Sequence, residues 1–307
     1  MKRILITGGA GFIGSHCVDL FISSGYAVGV FDIKKEKDAI NLRHHNGTTT
    51  YIEGDIRIKR DLDTIMSYYD VVLHLAADVS VQKSFEDPED THKTNVDGTL
   101  NVLASAAENG IQKVVYASSA AVYGDTEIVP THENVALSPS SPYGVHKCIN
   151  ELYGRLYSQQ FSLPTVGLRF FNVYGSRQDP SSPYSGVVSI FYDYLKQQKS
   201  PFIYGDGSAT RDFIHVHDIA KVCLFAIENE KCSNVICNVG TGEATSIIQL
   251  FNTIKKNLSC SINPEYKRQR NGDILHSCAD ISLLQKKMQF TPSITLQKGV
   301  EEMLENT

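Results

Sequence analysis

Tyr143 and Lys147 stand four residues apart in Tyr143-Gly-Val-His-Lys147, and Ser118 and Ser119 close the apolar run over 114–117 that precedes them. A phenol has a pKa of about 10 in water and is a poor base at neutral pH. A neighbouring ammonium favours the phenolate, and a serine hydroxyl can bind the same oxygen. If Tyr143 opens a helix, Lys147 falls on the same face one turn on. Serine, tyrosine and lysine in that arrangement can take a proton from an alcohol and return it. Alone, Tyr-x-x-x-Lys says little. The chemistry becomes redox chemistry only where another part of the chain supplies a hydride acceptor.

The N-terminal stretch offers a place for one. Ile4-Leu5-Ile6 runs into Gly8-Gly9-Ala10-Gly11-Phe12-Ile13-Gly14, and apolar residues then recur at helical spacing to Phe21. Glycines at 8, 11 and 14 let the backbone turn tightly and approach a pyrophosphate, and the helix after them offers amide donors and a positive dipole end. Phe12 and Ile13 lie in that first turn and count as cofactor candidates with the glycines. A second strand over 27–31 ends at Asp32, 21 residues past Gly11, close to the spacing of a carboxylate on the adenosine ribose. That charge repels a 2′-phosphate, so NAD is expected rather than NADP, although Lys34 and Lys35 follow it. A third strand over 49–53 leads to Asp55 and Ile56, an edge and a face for adenine. The strand over 71–77 is apolar on both faces, as buried parallel strands are. Its small end, Leu75-Ala76-Ala77, lets a cofactor lie close. A loop over 78–84 then carries Ser80 past the cleft, and a helix over 88–109 carries Asn95. His74 is expected to be a packing histidine.

These strands and helices alternate as far as residue 170, which predicts an α/β protein with a doubly wound parallel sheet of the Rossmann type. Ligands sit outside the carboxyl ends of such strands, and residues 8–14, Asp32, Ala76, Ala77, Ser119 and Asn172 all fall there. After Gly175 the alternation breaks, with helices over 187–197, 217–228 and 247–257 and short extended pieces between them. A smaller α/β substrate domain is expected, interleaved with the first: residues 1–170 and 212–240 bind dinucleotide, and 171–211 and 241–307 bind substrate.

Bulk composition excludes several classes. Of 307 residues, 42% are hydrophobic and 21% charged, ordinary for a soluble globular protein. A net charge of −5 gives no general basic surface for nucleic acid. No apolar run approaches the roughly 18–20 residues of a membrane span, and the N-terminus lacks a signal-peptide core, so a cytoplasmic protein without membrane contact is expected. The seven cysteines include no C-x-x-C pair. Reduced, buried thiols are expected, and no metal site.

Taken together, the glycine loop, Leu75-Ala76-Ala77, Ser118-Ser119-Ala120-Ala121-Val122-Tyr123-Gly124, Tyr143-x-x-x-Lys147, Arg169-Phe170-Phe171-Asn172-Val173-Tyr174-Gly175, Arg211-Asp212-Phe213-Ile214-His215-Val216-His217-Asp218 and Arg270-x-Gly272-Asp273 resemble the extended short-chain dehydrogenase/reductases. Within them the chain is similar to the NAD-dependent epimerase/dehydratase family, and to its UDP-hexose 4-epimerases in particular. The resemblance implies roles. Tyr143 is the base, Lys147 holds the nicotinamide ribose and lowers the tyrosine pKa, and Ser119 binds the reacting hydroxyl. Asn172, Arg211 and Arg270 match residues on the UDP diphosphate, for which the planar guanidinium fork is suited. Tyr204 falls where a ring stacks on uracil and Asp273 where a carboxylate takes the uridine ribose. Tyr184 and Val187 belong to a segment that closes over the nucleotide.

The family divides on the step after oxidation at C4. Dehydratase relatives carry Asp-Glu after the catalytic threonine, and decarboxylase relatives a Glu; here those positions are Ala120 and Ala121, which move no proton. Simple oxidation and re-reduction remain. The residue that gates room beside the sugar's 2-substituent aligns with Ser277, small enough for an N-acetyl group, so UDP-GlcNAc/UDP-GalNAc are expected beside UDP-Glc/UDP-Gal. A UDP-uronate epimerase, a reductase using external cofactor and a non-catalytic NAD-binding protein stay open. Family members commonly pair two helices per subunit, here those over 88–109 and 143–160, so a homodimer is implied.

Overall fold

The computed structural model describes residues 1–45, 47–179, 186–269 and 274–305. In chain order the strands are β1 (Arg3–Thr7), β2 (Ala27–Asp32), β3 (Thr50–Glu53), β4 (Val71–His74), β5 (Lys113–Ser119), β6 (Thr165–Phe170), β7 (Asn172–Tyr174), β8 (Phe202–Tyr204), β9 (Thr210–Arg211), β10 (Phe213–His215), β11 (Val235–Val239), β12 (Thr245–Ser246) and β13 (Glu265–Lys267). The helices are α1 (Phe12–Ser23), α2 (Lys59–Met66), α3 (Val81–Glu86), α4 (Pro88–His92), α5 (Gly98–Glu108), α6 (Pro142–Gln160), α7 (Val187–Lys196), α8 (Val216–Glu228), α9 (Ile247–Asn257), α10 (Ser282–Met288) and α11 (Leu296–Glu305).

Val71-Val72-Leu73-His74 of β4 and all six residues of β6 are buried at every position, which demands cover on both faces of a sheet. The sheet has seven strands in the order β3-β2-β1-β4-β5-β6-β11, with every pairing parallel. One face packs Val18 and Phe21 of α1 and Ile219 and Cys223 of α8 against Ile4, Ile6 and Leu73. The other packs Leu62 of α2, Val102 and Leu103 of α5 and Tyr157 of α6 against Leu5, Val72 and Val114. Each such side chain contributes about 1.5–3 kcal/mol by leaving water. Strand order reverses between β1 and β4, so the crevice of the doubly wound class opens above those two carboxyl ends. A third core joins Phe191 and Leu195 of α7, Leu250 and Phe251 of α9 and Val300 of α11 to Ile203 and Phe213.

Four local expectations change. The stretch 78–84 is not all loop: Ser80 caps α3 by accepting the Lys83 amide proton at 2.8 Å. The helix expected over 88–109 is broken by a wider π turn, Lys93–Asp97. That turn carries the Asn95 side chain onto Asp78, and it ends at Gly98, where a Cβ would lie 2.6 Å from Ile56 Cδ1. The three residues 172–174, read as chain leaving β6, form β7 and pair in parallel with β10. Residues 282–288 and 296–305, where no element was expected, are helical. Among the described residues no helix is long and apolar enough to cross a membrane.

Candidate active site

The glycine loop meets β4 at the switch point. Gly8 has φ of +72°, and a Cβ there would stand 2.7 Å from the Ala76 nitrogen; one on Gly14 would collide with the Gly8 carbonyl. The strand, the turn and α1 are thus packed backbone to backbone, and Gly11, Phe12 and Ile13 at the α1 N-terminus are left half-buried, with no side chain capping the helix. Asp32 Oδ2 accepts the Ala10 N–H and its Oδ1 the Lys34 N–H, both at 3.0 Å, so β2 presents a fixed, nearly buried carboxylate beside the loop. A small-residue loop with a carboxylate at the next strand end fits a dinucleotide with a free 2′-hydroxyl. Leu75, Ala76 and Ala77 are half-buried where β4 leaves the sheet. Asp55 and Ile56 follow β3, but the Asp55 carboxylate is gripped by Arg57 at 2.8 and 2.6 Å. Against burial, that pair holds its pKa below the usual carboxylate range. Asn95 spends its amide on the Asp78 backbone, accepting at 2.7 Å and donating at 2.9 Å, and so positions that loop.

The residues expected to move the proton lie at the end of β5 and the start of α6. Ser119 ends β5 and its hydroxyl accepts the Ala121 amide proton at 3.2 Å. Tyr143 and Lys147 sit one turn apart near the start of α6. Ser141 caps that helix through the Gly144 amide (3.1 Å), Pro142 takes its first position, and Ser84 accepts the Tyr143 amide proton at 3.1 Å. The fully buried Ser84 is a positioning residue that the local sequence does not announce. Lys147 Nζ lies 5.6 Å from the Tyr143 ring centroid and donates to the Ala117 carbonyl at 2.8 Å. Burial pushes the Tyr143 phenol up to about 12, with the Ser119 hydrogen bond pulling it down and Asp78 pushing it further up. Burial also pushes Lys147 down, to about 8, against the charge of Glu151. In the protein by itself, then, the phenol is not lowered. Desolvation outweighs its partners, and Ser119 supplies the opposing pull.

Beyond Ser119 a cleft of about 180 Å³ is lined by Ala121, Asn172, Arg211, His276 and Ser277 among others. Arg211 Nη1 donates to the Thr210 carbonyl at 2.8 Å. Ser277 and His276 are fixed opposite it, the Ser277 N–H on the Thr210 carbonyl at 3.1 Å and His276 Nδ1 3.0 Å from Thr210 Oγ1. The next residue, Asp212, is buried and knots 241–242 and 279 together by accepting three backbone amide protons, so it holds the arginine's strand in place. Val187 opens α7 and Tyr204 ends β8, both half-buried. Ser80 is nearly buried as the α3 cap. Tyr184, Arg270 and Asp273 lie outside the described residues. A larger hollow, about 530 Å³, opens at the opposite ends of the strands around Val28, Ile52 and Tyr69, away from every residue of this chemistry.

The histidines mostly tie elements together. His74 is buried between Thr7 Oγ1 (2.7 Å) and Thr99 Oγ1 (3.0 Å), and burial pushes it down to about 3, so it is neutral. His44 and His45 reach Asp19 at 2.9 and 2.6 Å, whose other oxygen is paired with Arg177 at 2.7 Å. His215 and His217 lie 3.7 and 3.5 Å from Glu302. Because His215 Nδ1 accepts the His217 amide proton at 3.4 Å, the proton of the neutral ring is assigned to Nε2, the nitrogen facing Glu302.

The doubly wound sheet, glycine loop and acidic β2 end define a dinucleotide-binding protein. The model of the NAD dependent epimerase/dehydratase family matches residues 4–240. The chain belongs to that family, and its cofactor is NAD. It is similar to a solved UDP-N-acetylglucosamine 4-epimerase of Methanobrevibacter ruminantium in complex with UDP-N-acetylmuramic acid, at 37% identity and a TM-score of 0.93, covering 100% of this chain and 99% of that one. A UDP-glucose 4-epimerase of Thermotoga maritima with UDP-glucose is similar at 35% identity and a TM-score of 0.94, over 99% and 98% of the two chains. A third, the UDP-glucose 4-epimerase of Thermus thermophilus in complex with NAD, shares 31% identity with a TM-score of 0.89 over 99% and 98%.

Proposed function

We propose that the protein interconverts UDP-hexoses epimeric at C4, through a transient 4-keto sugar, and accepts UDP-GlcNAc/UDP-GalNAc as well as UDP-Glc/UDP-Gal. The observation that carries this is the pair Ala120 and Ala121, which line the cleft directly after Ser119. Side chains there that cannot move a proton leave Tyr143 to act on O4 and give no acid or base for C5 or C6. Tyr143 Oη takes the O4 proton with Ser119 hydrogen-bonded to the same oxygen. Bound NAD would supply the acceptor for the C4 hydride and the donor for its return. Asn172 and Arg211 are assigned to the diphosphate, with Arg270 and Asp273 completing the nucleotide clamp. While that clamp holds, the keto sugar can turn and present its other face. Lys147 steadies the ribose side and its charge favours the phenolate.

Proton NMR of the purified protein with individual UDP-sugars and no added cofactor tests the reading. Exchange of the axial and equatorial C4 signals of both the plain and the N-acetyl pairs is expected. Net NADH accumulation, or exchange confined to UDP-glucuronate, overturns it. The small residue at 277 carries the N-acetyl part. Ser277→Tyr should cut turnover of UDP-GlcNAc by about a hundredfold or more and spare UDP-Glc; an equal effect on both pairs removes 277 as the gate.

A homodimer through α6 and its neighbours is the assembly this surface supports. Val145, Leu152 and Leu156 share one face of α6 and are 42%, 64% and 43% exposed, and Phe85 of α3 is 60% exposed. Light scattering should give twice the chain mass, and Leu152→Glu with Leu156→Glu should give the monomer mass.

A further inference from the structure

Four residues after Lys147, on the same face of α6, Glu151 is buried at 3% exposure. Two strands grip it. Arg169 of β6 forks onto it, Nε to Oε1 at 2.8 Å and Nη2 to Oε2 at 2.7 Å, and Ser118 of β5 donates its hydroxyl to Oε1 at 2.6 Å. The free side of the guanidinium donates to the Tyr123 hydroxyl (2.7 Å) and the Glu133 carbonyl (3.2 Å), and Tyr123 donates on to Asn238 Oδ1 at 2.6 Å. Asn238 in turn donates its side-chain amide to the Thr131 carbonyl at 2.8 Å. One carboxylate therefore touches the strand that ends in Ser119 and the helix that carries Tyr143 and Lys147. Through Arg169 it reaches the Tyr123–Thr131 side of the cleft. A buried ion pair is a poor stabiliser against apolar residues of the same volume, so its placement asks for another reason.

We propose that Glu151 is a positioning residue for the catalytic couple: held by Ser118 and Arg169, its carboxylate sets β5, which ends in Ser119, against α6, which carries Tyr143 and Lys147, and it places an anion one helical turn from Lys147. The activity arm of this inference rests on the proposed epimerase chemistry; the titration arm does not.

The groups around Lys147 set the sign. From α6 it faces Tyr143, His146 and Glu151, and from β4 His74; Arg169 of β6, Tyr116 of β5 and Cys148 of α6 face Glu151 in turn. Burial holds His74 neutral and lowers His146, while it raises Tyr116 and Cys148. Asp78 stands on the Tyr143 side and is paired with Lys83 at 2.6 Å. Glu151 is thus the anion that opposes desolvation of the Lys147 ammonium. Removing it lowers the pH at which the lysine loses its proton.

The test is Glu151→Gln in the NAD-loaded protein, with Lys147 followed by lysine-selective NMR across pH 6–10. Its titration midpoint should fall by about one pH unit. The alkaline limb of kcat should move with it, and kcat at pH 7 should drop about tenfold with KM within about twofold of wild type. A second variant, Glu151→Met with Arg169→Met, replaces the pair by apolar groups and keeps the fold if Gln alone does not; its Lys147 midpoint should fall too. Glu151→Asp, which retains the charge, should hold the midpoint close to wild type. A midpoint unchanged in both charge-removing variants overturns the proposal and leaves Glu151 a packing residue. A wild-type protein that turns over no UDP-sugar defeats the epimerase reading alone, because the lysine titration is read without substrate.

Discussion

Tyr143→Phe should lower kcat for UDP-hexose epimerisation by about a thousandfold while leaving NAD content and KM near wild type. The reasoning is geometric first. Tyr143 is the titratable side chain that Ser119 hydrogen-bonds at the end of β5, and Lys147 stands one turn away. Phenylalanine keeps the buried ring and removes only the oxygen proposed to take the proton. The loss therefore falls on the transition state and not on binding. Folding should be unaffected within about 1 kcal/mol, since the change removes one hydrogen bond and the Ser119 hydroxyl can turn to other partners. The pH dependence is diagnostic. Because burial pushes the phenol up to about 12, the reactive phenolate is a minor species at neutral pH in the protein alone, and its fraction grows with pH. Wild-type kcat should rise from pH 6 toward 8, whereas the residual rate of the Phe variant should be flat over that range. A variant that kept full turnover would remove Tyr143 as the base.

Much of this site is written in short-range spacing. The glycine loop, Asp32 and Tyr143-x-x-x-Lys147 are each local patterns whose geometry follows from strand, turn and helix periods, so the sequence places the first two at the carboxyl ends of β1 and β2 and the third on one face of α6. Asp212 and Glu151 are different. A buried carboxylate has no local signature, because its partners come from distant parts of the chain: Thr241, Gly242 and Ala279 for one, Arg169 and Ser118 for the other. Ser84 meets the Tyr143 amide across 59 positions, and nothing in Val-Gln-Lys-Ser announces that contact. The π turn at 93–97 was hidden for a related reason. Lys93 to Gly98 reads as ordinary helix until the Asn95 amide finds the Asp78 backbone, a tertiary bond that outweighs helical periodicity. The short β7 lacks the length for a pattern and exists because β10 lies beside it.

Lys147→Met should abolish most activity, by about a hundredfold to a thousandfold, and at the same time make the protein more stable at neutral pH. The two effects share one cause. Lys147 is 4% exposed, and burial pushes it down to about 8 from its ordinary 10.5. A folded-state pKa depressed below the unfolded one means that the folded protein loses stability as pH falls from about 10.5 to about 8, where the unfolded chain binds the proton and the folded one does not, and the full penalty is present below 8. Above about 10.5 that difference is gone. At pH 7 the buried ammonium costs about 3 kcal/mol. Methionine fills a similar volume without charge but leaves the Ala117 carbonyl without its 2.8 Å donor, which returns about 1 kcal/mol. The variant should therefore be about 2 kcal/mol more stable than wild type at pH 7, with the gap closing to near zero by pH 10. Urea unfolding at the two pH values measures it. A variant less stable than wild type at pH 7 would mean that the hydrogen bond to Ala117 and the attraction of Glu151 outweigh desolvation, and that the ammonium is held in the crevice without strain. The predicted gain instead marks Lys147 as a charge kept out of water for what it does to Tyr143.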